Sequence, residues 1–242
     1  MQTWLRSHLV SAIAGGLVVA GTFLLLGVTG RRSTQTVVEQ GPVMARQTAS
    51  ASPVLTAHDI YVRDAAGIVS VRPAGGHNRT GSGFLVGRNG DILTNSTLTA
   101  SAAGATIEFS DDVVRHATVV DADNGVAVLR ANLSGVPTIV PLPCGESANV
   151  RVGDPVLALG DPAGYDRTLT SGIVSALQQQ LKGLQGSTVA NVIETDAPVS
   201  PESAGGPLLD TYGRVIGVTG FGGAVSFAVP IDTAKQVLPG VC

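Results

Sequence analysis

The sequence predicts an all-β domain preceded by one N-terminal transmembrane helix. Residues 9–28 carry no charge and are almost wholly apolar over about the length that crosses a bilayer. Farther along, short apolar runs alternate with Gly, Pro, Asn and Asp, a pattern typical of a barrel or sandwich of many short strands. A chain of 242 residues has room for one or two compact domains.

The composition argues against several classes of function. Fifteen basic and 18 acidic residues give a formal net charge of −3, and no basic stripe gathers, so we expect no nucleic-acid partner. We also expect no metal and no other cofactor, because the sequence has neither a ligand cluster nor a phosphate-binding loop. Cys144 and Cys242 lack a C-x-x-C motif. They form a disulfide if the domain lies outside the cytoplasm, or they are two unrelated thiols.

The apolar segment 9–28 follows a short tail, residues 1–8, and we interpret it as an uncleaved membrane anchor. A cleaved signal peptide is the alternative. Its apolar core is usually shorter, however, and no small-residue cleavage site follows Val28 directly. Residues 29–56 show no apolar period and contain Ser, Thr, Gln and Pro, as is typical of a flexible linker.

The membrane orientation rests on conflicting signals. Arg31 and Arg32 outweigh Arg6 on the other side of the anchor, and the positive-inside rule would place that pair in the cytoplasm. A disulfide, and the family resemblance described below, would place the domain on the opposite side. We expect the domain outside the cytoplasm.

The folded domain is predicted at residues 57–239. An Asn-Gly pair at residues 89–90 lies between two apolar runs and predicts a β-hairpin. Helices are predicted at 58–64 and 231–238. The predicted strands are 67–72, 81–86, 91–94, 105–109, 117–120, 126–130, 138–140, 155–159, 167–176, 192–195, 215–221 and 225–229, with a further buried strand starting at Pro207.

Six segments in order along the chain carry a family pattern. They contain Ile68-Val69-Ser70-Val71, Gly81-Ser82-Gly83-Phe84 through Asn95, Asp121 through Leu129, Gly160 through Ser175, Thr195 through Leu209, and Phe227-Ala228-Val229-Pro230 with the closing helix. The fifth segment resembles T-D-A-x-x-x-P-G-N-S-G-G-P of the HtrA/DegP-type trypsin-like serine proteases. The resemblance implies two six-stranded β-barrels, roughly 57–145 and 150–230, with a cleft between them and a closing helix at 231–238. We expect no PDZ domain, because the chain ends at Cys242.

The resemblance also implies where the catalytic groups of the family fall. Thr97 takes the histidine position, Gly125 the aspartate position and Ala204 the serine position, while Glu202 replaces a glycine of the oxyanion hole. A serine protease needs a hydroxyl nucleophile, an imidazole base and a carboxylate. The sequence therefore predicts a catalytically degenerate pseudoprotease that is not an enzyme. A divergent serine endopeptidase that uses Ser203 is the alternative.

The predicted function follows from the cleft. In the family, substrate backbone pairs with an edge strand after the nucleophile loop, so the candidate peptide-contacting residues are Pro198, Ser203, Gly205, Thr219, Gly220 and Phe221. We expect a membrane-anchored, non-catalytic module outside the cytoplasm that binds an extended peptide, a protein or an active HtrA-like protease. A purely structural interaction domain is a further alternative. Family members assemble as trimers, which suggests a homo-oligomer.

Overall fold

The computed structural model describes residues 54–75, 79–100, 102–138, 140–161, 167–182, 188–223 and 225–242. In these residues, β-strands form two closed six-stranded barrels, and short helices lie around them. The predicted two-barrel fold is confirmed. The predicted tail, the anchor at 9–28 and most of the linker lie outside the described residues. Within the described part, every helix is too short or too polar to cross a bilayer. The proposed domain boundaries stay predictions.

The first barrel follows helix α1 (Ala57–Asp64), which begins with a capping box between Thr56 and Asp59. Its strands pair in the order β1-β2-β3-β6-β5-β4, and β4 pairs with β1 to close the barrel. Alternate side chains of these strands fill the interior, among them those of Val71, Ile92 and Leu129. The strands are β1 (Ile68–Pro73), β2 (Gly81–Leu85), β3 (Asp91–Asn95), β4 (Gly104–Glu108), β5 (Val114–Asp123) and β6 (Val126–Ala131).

The second barrel repeats this arrangement. Its strands pair in the order β10-β11-β12-β9-β8-β7, and β10 pairs with β7 to close the barrel. Val156, Ile193 and Leu208 are among the side chains that fill the interior. The strands are β7 (Pro155–Gly160), β8 (Thr168–Lys182), β9 (Thr188–Thr195), β10 (Pro207–Leu209), β11 (Val215–Phe221) and β12 (Ser226–Pro230).

A separate apolar cluster joins the two barrels. It combines buried side chains of the first barrel, such as Phe84 and Leu93, with buried side chains of the second, such as Val218 and Phe227. The closing helix α3 (Ile231–Val237) adds Ile231 and other residues to the same cluster. Burial of this shared surface fixes the position of the cleft between the barrels.

A disulfide links the chain terminus to the segment between the barrels. Cys144 and Cys242 are bonded, with their Cα atoms 5.8 Å apart. Cys144 also forms a bridge with Val215 of β11, and Val241 is buried in the cluster between the barrels. The C-terminal residues are therefore held to the second barrel both covalently and by packing.

The structure differs from the sequence-based expectation at three places, of which one is a wrong prediction. The strand predicted at 138–140 does not form at the described residues Thr138 and Val140, because Pro137 and Pro141 beside them cannot donate to a ladder. The hairpin at Asn89-Gly90 exists, but a five-residue connection joins β2 to β3. A short helix α2 (Ser96–Thr99), which the sequence did not predict, follows β3 with Asn95 as its N-cap.

Loss of the disulfide should destabilise the domain substantially. The bond joins residues 98 positions apart, and cross-linking a long loop strongly restricts the unfolded chain. We expect Cys242→Ala to lower the free energy of unfolding by about 2–5 kcal/mol, measured by urea denaturation. Reductant should lower the stability of the wild type to the same level and leave the variant unchanged. Equal stability of oxidised and reduced wild type would contradict this expectation.

Candidate functional site

The turn after Pro198 forms one wall of the cleft. Ser200 organises it, because its carbonyl oxygen accepts hydrogen bonds from the N–H groups of Ser203 and Ala204, each at 3.1 Å. The Ser200 hydroxyl also accepts from the Ser203 N–H at 3.1 Å. The Ala204 N–H is therefore engaged within the turn. The Glu202 side chain, at the predicted oxyanion position, is exposed.

Strand β2 of the first barrel holds this turn from the other side. The Ser82 N–H donates to the Ala204 carbonyl at 2.8 Å, and the Ser82 hydroxyl donates to the Glu202 carbonyl at 3.1 Å. The same hydroxyl accepts from the Asp161 N–H at 2.8 Å. Ser82 thus connects three chain segments at the seam of the barrels, a role that sequence reasoning missed although the G-S-G-F motif contains this residue.

The Thr97 and Gly125 positions lie next to each other. Thr97 is the second residue of α2, and its N–H donates to the Asn95 side chain at 2.8 Å. The N–H of its neighbour Ser96 donates to the Gly125 carbonyl at 3.0 Å. The structure therefore brings the predicted histidine and aspartate positions together at one end of the first barrel. There they supply a hydroxyl group and a bare backbone.

Gly125 forms the two-residue turn between β5 and β6 with Asn124. Both residues have positive φ angles, 40° for Asn124 and 89° for Gly125, as a tight turn of this kind requires. A Cβ atom on Gly125 would lie 2.8 Å from a methyl group of Val229 and 3.0 Å from one of Val189. Aliphatic side chains of the second barrel therefore occupy the space beside this position.

A cavity of about 240 Å³ opens beside Ser203. It is smaller than the roughly 300–1,000 Å³ of typical small-molecule pockets, so it suits one side chain better than a whole ligand. The exposed surface inside it is mostly apolar. Of the predicted residues, Pro198, Ser203 and Thr219 line the cavity, whereas Gly205, Gly220 and Phe221 lie outside its wall. The remaining lining residues are Ala158, Leu159, Gly160, Thr168, Thr170, Val199 and Ser200.

Asp161 is a charged residue that directly follows Gly160 of the cavity wall. Burial raises the pKa of this carboxyl group, while the Arg167 guanidinium, 3.5 Å away, opposes the rise and Glu108 adds to it. Asp161 was not among the predicted site residues, although it occupies the Asn position of the family's G-N-P motif. Among the described residues, no group of three or more His, Cys, Asp and Glu side chains could hold a metal ion.

Comparison of the sequence with known protein families supports the two-barrel fold described above. The sequence profile of the trypsin-like peptidase domain matches residues 81–218, a stretch that includes β2 through most of β11. The chain belongs to the trypsin-like peptidase family.

Similar proteins narrow the relationship within this trypsin-like family to the HtrA/DegP type. Protease Do-like 1, chloroplastic, from Arabidopsis thaliana is 37% identical over 169 residues, which cover 66% of this chain and 38% of that protein. A probable periplasmic serine endoprotease DegP-like from Ectopseudomonas mendocina is 36% identical over 180 residues, covering 69% of this chain and 36% of the relative. The chain thus spans well under half the length of these two curated relatives.

Solved structures with a similar fold are also HtrA-type proteases or their relatives. The crystal structure of Deg5 superposes with a TM-score of 0.65 at 31% identity, covering 75% of this chain and 91% of that one. The HtrA-type protease AlgW with tripeptide superposes with a TM-score of 0.66 at 28% identity, covering 77% of this chain and 64% of that one. The predicted resemblance to HtrA/DegP-type proteases is confirmed.

These comparisons contradict the prediction that this trypsin-like chain is not an enzyme. Its relatives are named proteases and serine endoproteases, and its family is one of peptidase domains. The prediction rested on the residues at the three triad positions, Thr97, Gly125 and Ala204, and on Glu202 at the oxyanion position. These residues do not exclude hydrolysis through another hydroxyl group on the same backbone framework. The assignment of these positions to the family's triad stays a prediction.

Adding a carboxylate at residue 125 should destabilise this trypsin-like domain. Gly125→Asp adds a side chain at positive φ, which costs about 1–3 kcal/mol, and also forces it against Val189 and Val229. Gly153 is the matched control, because its φ is 93° and a Cβ there would meet no atom within 4 Å. We expect urea denaturation to show a larger loss for Gly125→Asp than for Gly153→Asp. Equal losses would mean that packing around Gly125 has no effect.

Proposed function

We propose that this domain binds extended peptide segments in the cleft between its barrels. The peptide backbone pairs with β11 at Phe221, and one apolar side chain enters the cavity beside Ser203. The observation that carries the proposal is the edge of β11 at Phe221, which no strand of the described residues covers, beside that cavity.

The pairing of β11 explains why the edge is free. Along β11, β10 reaches only to Val218, and the Gly205–Gly206 backbone then bonds to Thr219. On the opposite side β12 pairs with β11 as far as Phe221, and Gly222 N–H bonds across the hairpin to Val225. Hydrogen-bonding direction alternates along a strand, so the N–H and C=O of Phe221 point away from β12, as those of Thr219 do. An extended peptide can therefore add to the edge at Phe221.

The cavity supplies side-chain selectivity next to this edge. Thr219, two residues before Phe221, lines it, and Pro198 and Val199 contribute apolar surface from the facing turn. The Thr170 hydroxyl donates to the Pro198 carbonyl at 2.8 Å, which fixes that wall against β8. A small aliphatic side chain would bury apolar surface here without leaving a charge unpaired. The relative AlgW, an HtrA-type protease, has been solved with a tripeptide and with a decapeptide.

Peptide hydrolysis is a second candidate function, favoured by membership of the peptidase family. The Ser203 hydroxyl lines the cavity and accepts a hydrogen bond from the Ser200 hydroxyl at 3.1 Å. It would attack the carbonyl carbon of a bound peptide, and water would pass its proton to the leaving amine as the C–N bond breaks. A second water molecule would then hydrolyse the acyl ester on Ser203 and release the other half of the peptide. Neither hydroxyl is a base near neutral pH, and a positioned general base typically contributes about 10²–10⁴-fold. We therefore expect slow turnover.

We further propose that the domain works outside the cytoplasm, tethered by residues 9–28. The Cys144–Cys242 disulfide supports an oxidising compartment. The relatives named periplasmic or chloroplastic support a location across a membrane. An active HtrA-like protease is one protein partner that such a peptide-binding domain would engage.

Peptide binding is tested with fluorescein-labelled unfolded casein and fluorescence anisotropy. Thr168 is exposed at the rim of the cavity, so Thr168→Trp should cover the opening and weaken binding roughly tenfold, about 1.4 kcal/mol. The matched control is Thr118→Trp, at an exposed position of β5 on the first barrel, and it should bind like the wild type. Equal binding by both variants would show that the cavity does not contribute to peptide binding.

Hydrolysis is tested on the same protein with a fluorophosphonate probe and unfolded casein. We expect slow cleavage or labelling that Ser203→Ala abolishes and that Ser134→Ala, at an exposed site on the first barrel, leaves intact. Labelling that survives Ser203→Ala would exclude this nucleophile. Binding without cleavage or labelling would leave the peptide-binding proposal standing and refute the hydrolytic one.

A further inference from the structure

Arg167 lies at the point where β8 begins, directly before Thr168 at the rim of the cavity beside Ser203. Its side chain is only 17% exposed. The guanidinium reaches across to the first barrel, where Nε and Nη2 donate to the Ile68 carbonyl of β1 at 3.2 and 3.1 Å. The Arg167 side chain therefore joins the start of β8 to the first barrel.

Asp161 is the residue opposite Arg167. The β7–β8 ladder ends with the pair Gly160 and Thr168, so Asp161 and Arg167 continue the same register one step farther. Their Oδ2 and Nη2 atoms are 3.5 Å apart, and the Asp161 side chain is 13% exposed. Opposite charges that face each other across two strands stabilise the pairing, so this pair closes the open end of the ladder.

The two faces of this ladder end have different surroundings. Successive residues of a strand direct their side chains to opposite sides, so Gly160 and Thr168 face the cavity while Asp161 and Arg167 face the first barrel. Burial and the Glu108 carboxylate both raise the pKa of Asp161, and only the guanidinium opposes that rise. Removal of the guanidinium would therefore leave an unpaired buried carboxyl group at the end of the ladder.

Gly160 transmits this placement to the cavity. A Cβ atom on Gly160 would lie 2.6 Å from the Ser203 Cβ and 2.8 Å from its hydroxyl oxygen, so the Gly160 backbone packs directly on Ser203. The next N–H along the chain, that of Asp161, donates to the Ser82 hydroxyl at 2.8 Å. A shift of the ladder end would therefore move Gly160 and Thr168 relative to the wall that Ser203 forms.

The backbone around Arg167 also has supports that do not involve the guanidinium. The Tyr61 hydroxyl of α1 donates to the Arg167 carbonyl at 3.2 Å. Farther along β8, the Thr170 hydroxyl donates to the Pro198 carbonyl. A substitution of the Arg167 side chain should therefore change the rim of the cavity without unfolding the barrel.

We propose that Arg167 is a positioning residue that sets the width of the cavity beside Ser203 and thereby its preference for a small aliphatic side chain. The inference rests on the proposed peptide binding and deepens it. The guanidinium acts through Gly160 and Thr168 rather than by contact with the peptide. Without it the rim loosens, and an aliphatic side chain packs less closely in the cavity and buries less apolar surface.

The preference is measured by fluorescence anisotropy with two fluorescein-labelled decapeptides of Gly and Ser that differ only in one central residue, Val or Gly. Only the valine side chain can fill the cavity, so we expect the wild type to bind the Val peptide roughly tenfold more tightly. In Arg167→Met this ratio of dissociation constants should fall to about twofold. An unfolded fraction of the sample would weaken both bindings equally and leave the ratio unchanged.

Arg115→Met is the matched control. Arg115 also donates to backbone carbonyls, those of Val114 and Ser134 at 2.8 Å each, but it lies in β5 of the first barrel. This variant should keep the wild-type ratio. Arg167→Lys retains the charge opposite Asp161 and should give a ratio between those of the wild type and Arg167→Met. The lysine variant decides the question if Arg167→Met does not fold.

Hydrogen exchange tests the positioning without a peptide. The N–H groups of Asp161 and Ser203 are both bonded at this end of the cavity, to Ser82 and Ser200. Their exchange should be roughly tenfold faster in Arg167→Met than in Arg115→Met, because the closing pair of the ladder is lost.

The outcomes separate this inference from peptide binding itself. A wild type that prefers the Val peptide no more than Arg167→Met does would overturn the positioning role and leave peptide binding standing. A wild type that binds neither peptide would refute peptide binding, and the exchange measurement would still decide whether Arg167 positions the cavity. Equal exchange at Asp161 and Ser203 in Arg167→Met and Arg115→Met would overturn the positioning role in either case.

Discussion

The close approach of the Gly205 backbone to the first barrel determines the architecture of the cleft. Gly205 has a φ of 98°, and a Cβ atom there would collide with the Ser82 carbonyl and the Thr94 hydroxyl. On its other side, the Gly205 N–H donates to Thr219 of β11. One residue without a side chain therefore lies between β2 and β11. Ser82 adds bonds to Glu202 and Ala204 on the same turn.

This framework consists of backbone hydrogen bonds and close packing, and it does not depend on the side chains at Thr97, Gly125 and Ala204. The cavity, the free edge of β11 and the turn at Ser200 therefore persist with those residues in place. Binding and hydrolysis make different demands on such a site. Binding an extended peptide needs an unpaired strand edge and an apolar cavity, whereas hydrolysis also needs groups that move a proton.

The strand edges of the fold differ in whether another segment covers them. Closure of each barrel removes most edges, and Asn124 together with the Gly125 turn covers the β9 side of the β8–β9 hairpin. Open strand edges in the described part of the chain include Phe221 in the cleft and β8 beyond Val174. The Phe221 edge adjoins the cavity beside Ser203, whereas the β8 edge lies on the hairpin that β8 forms with β9.

The sequence by itself determined the two-barrel fold and most strand positions, because alternation, turn residues and family motifs are local signals. Tertiary structure decided the rest. The Asn124-Gly125 turn, the β8 edge, the role of Ser82 and the cavity beside Ser203 depend on which segments meet across the barrels. The enzyme prediction failed for the same reason. Reading the triad and oxyanion positions in isolation could not take account of the framework that surrounds them, which the chain shares with its named protease relatives.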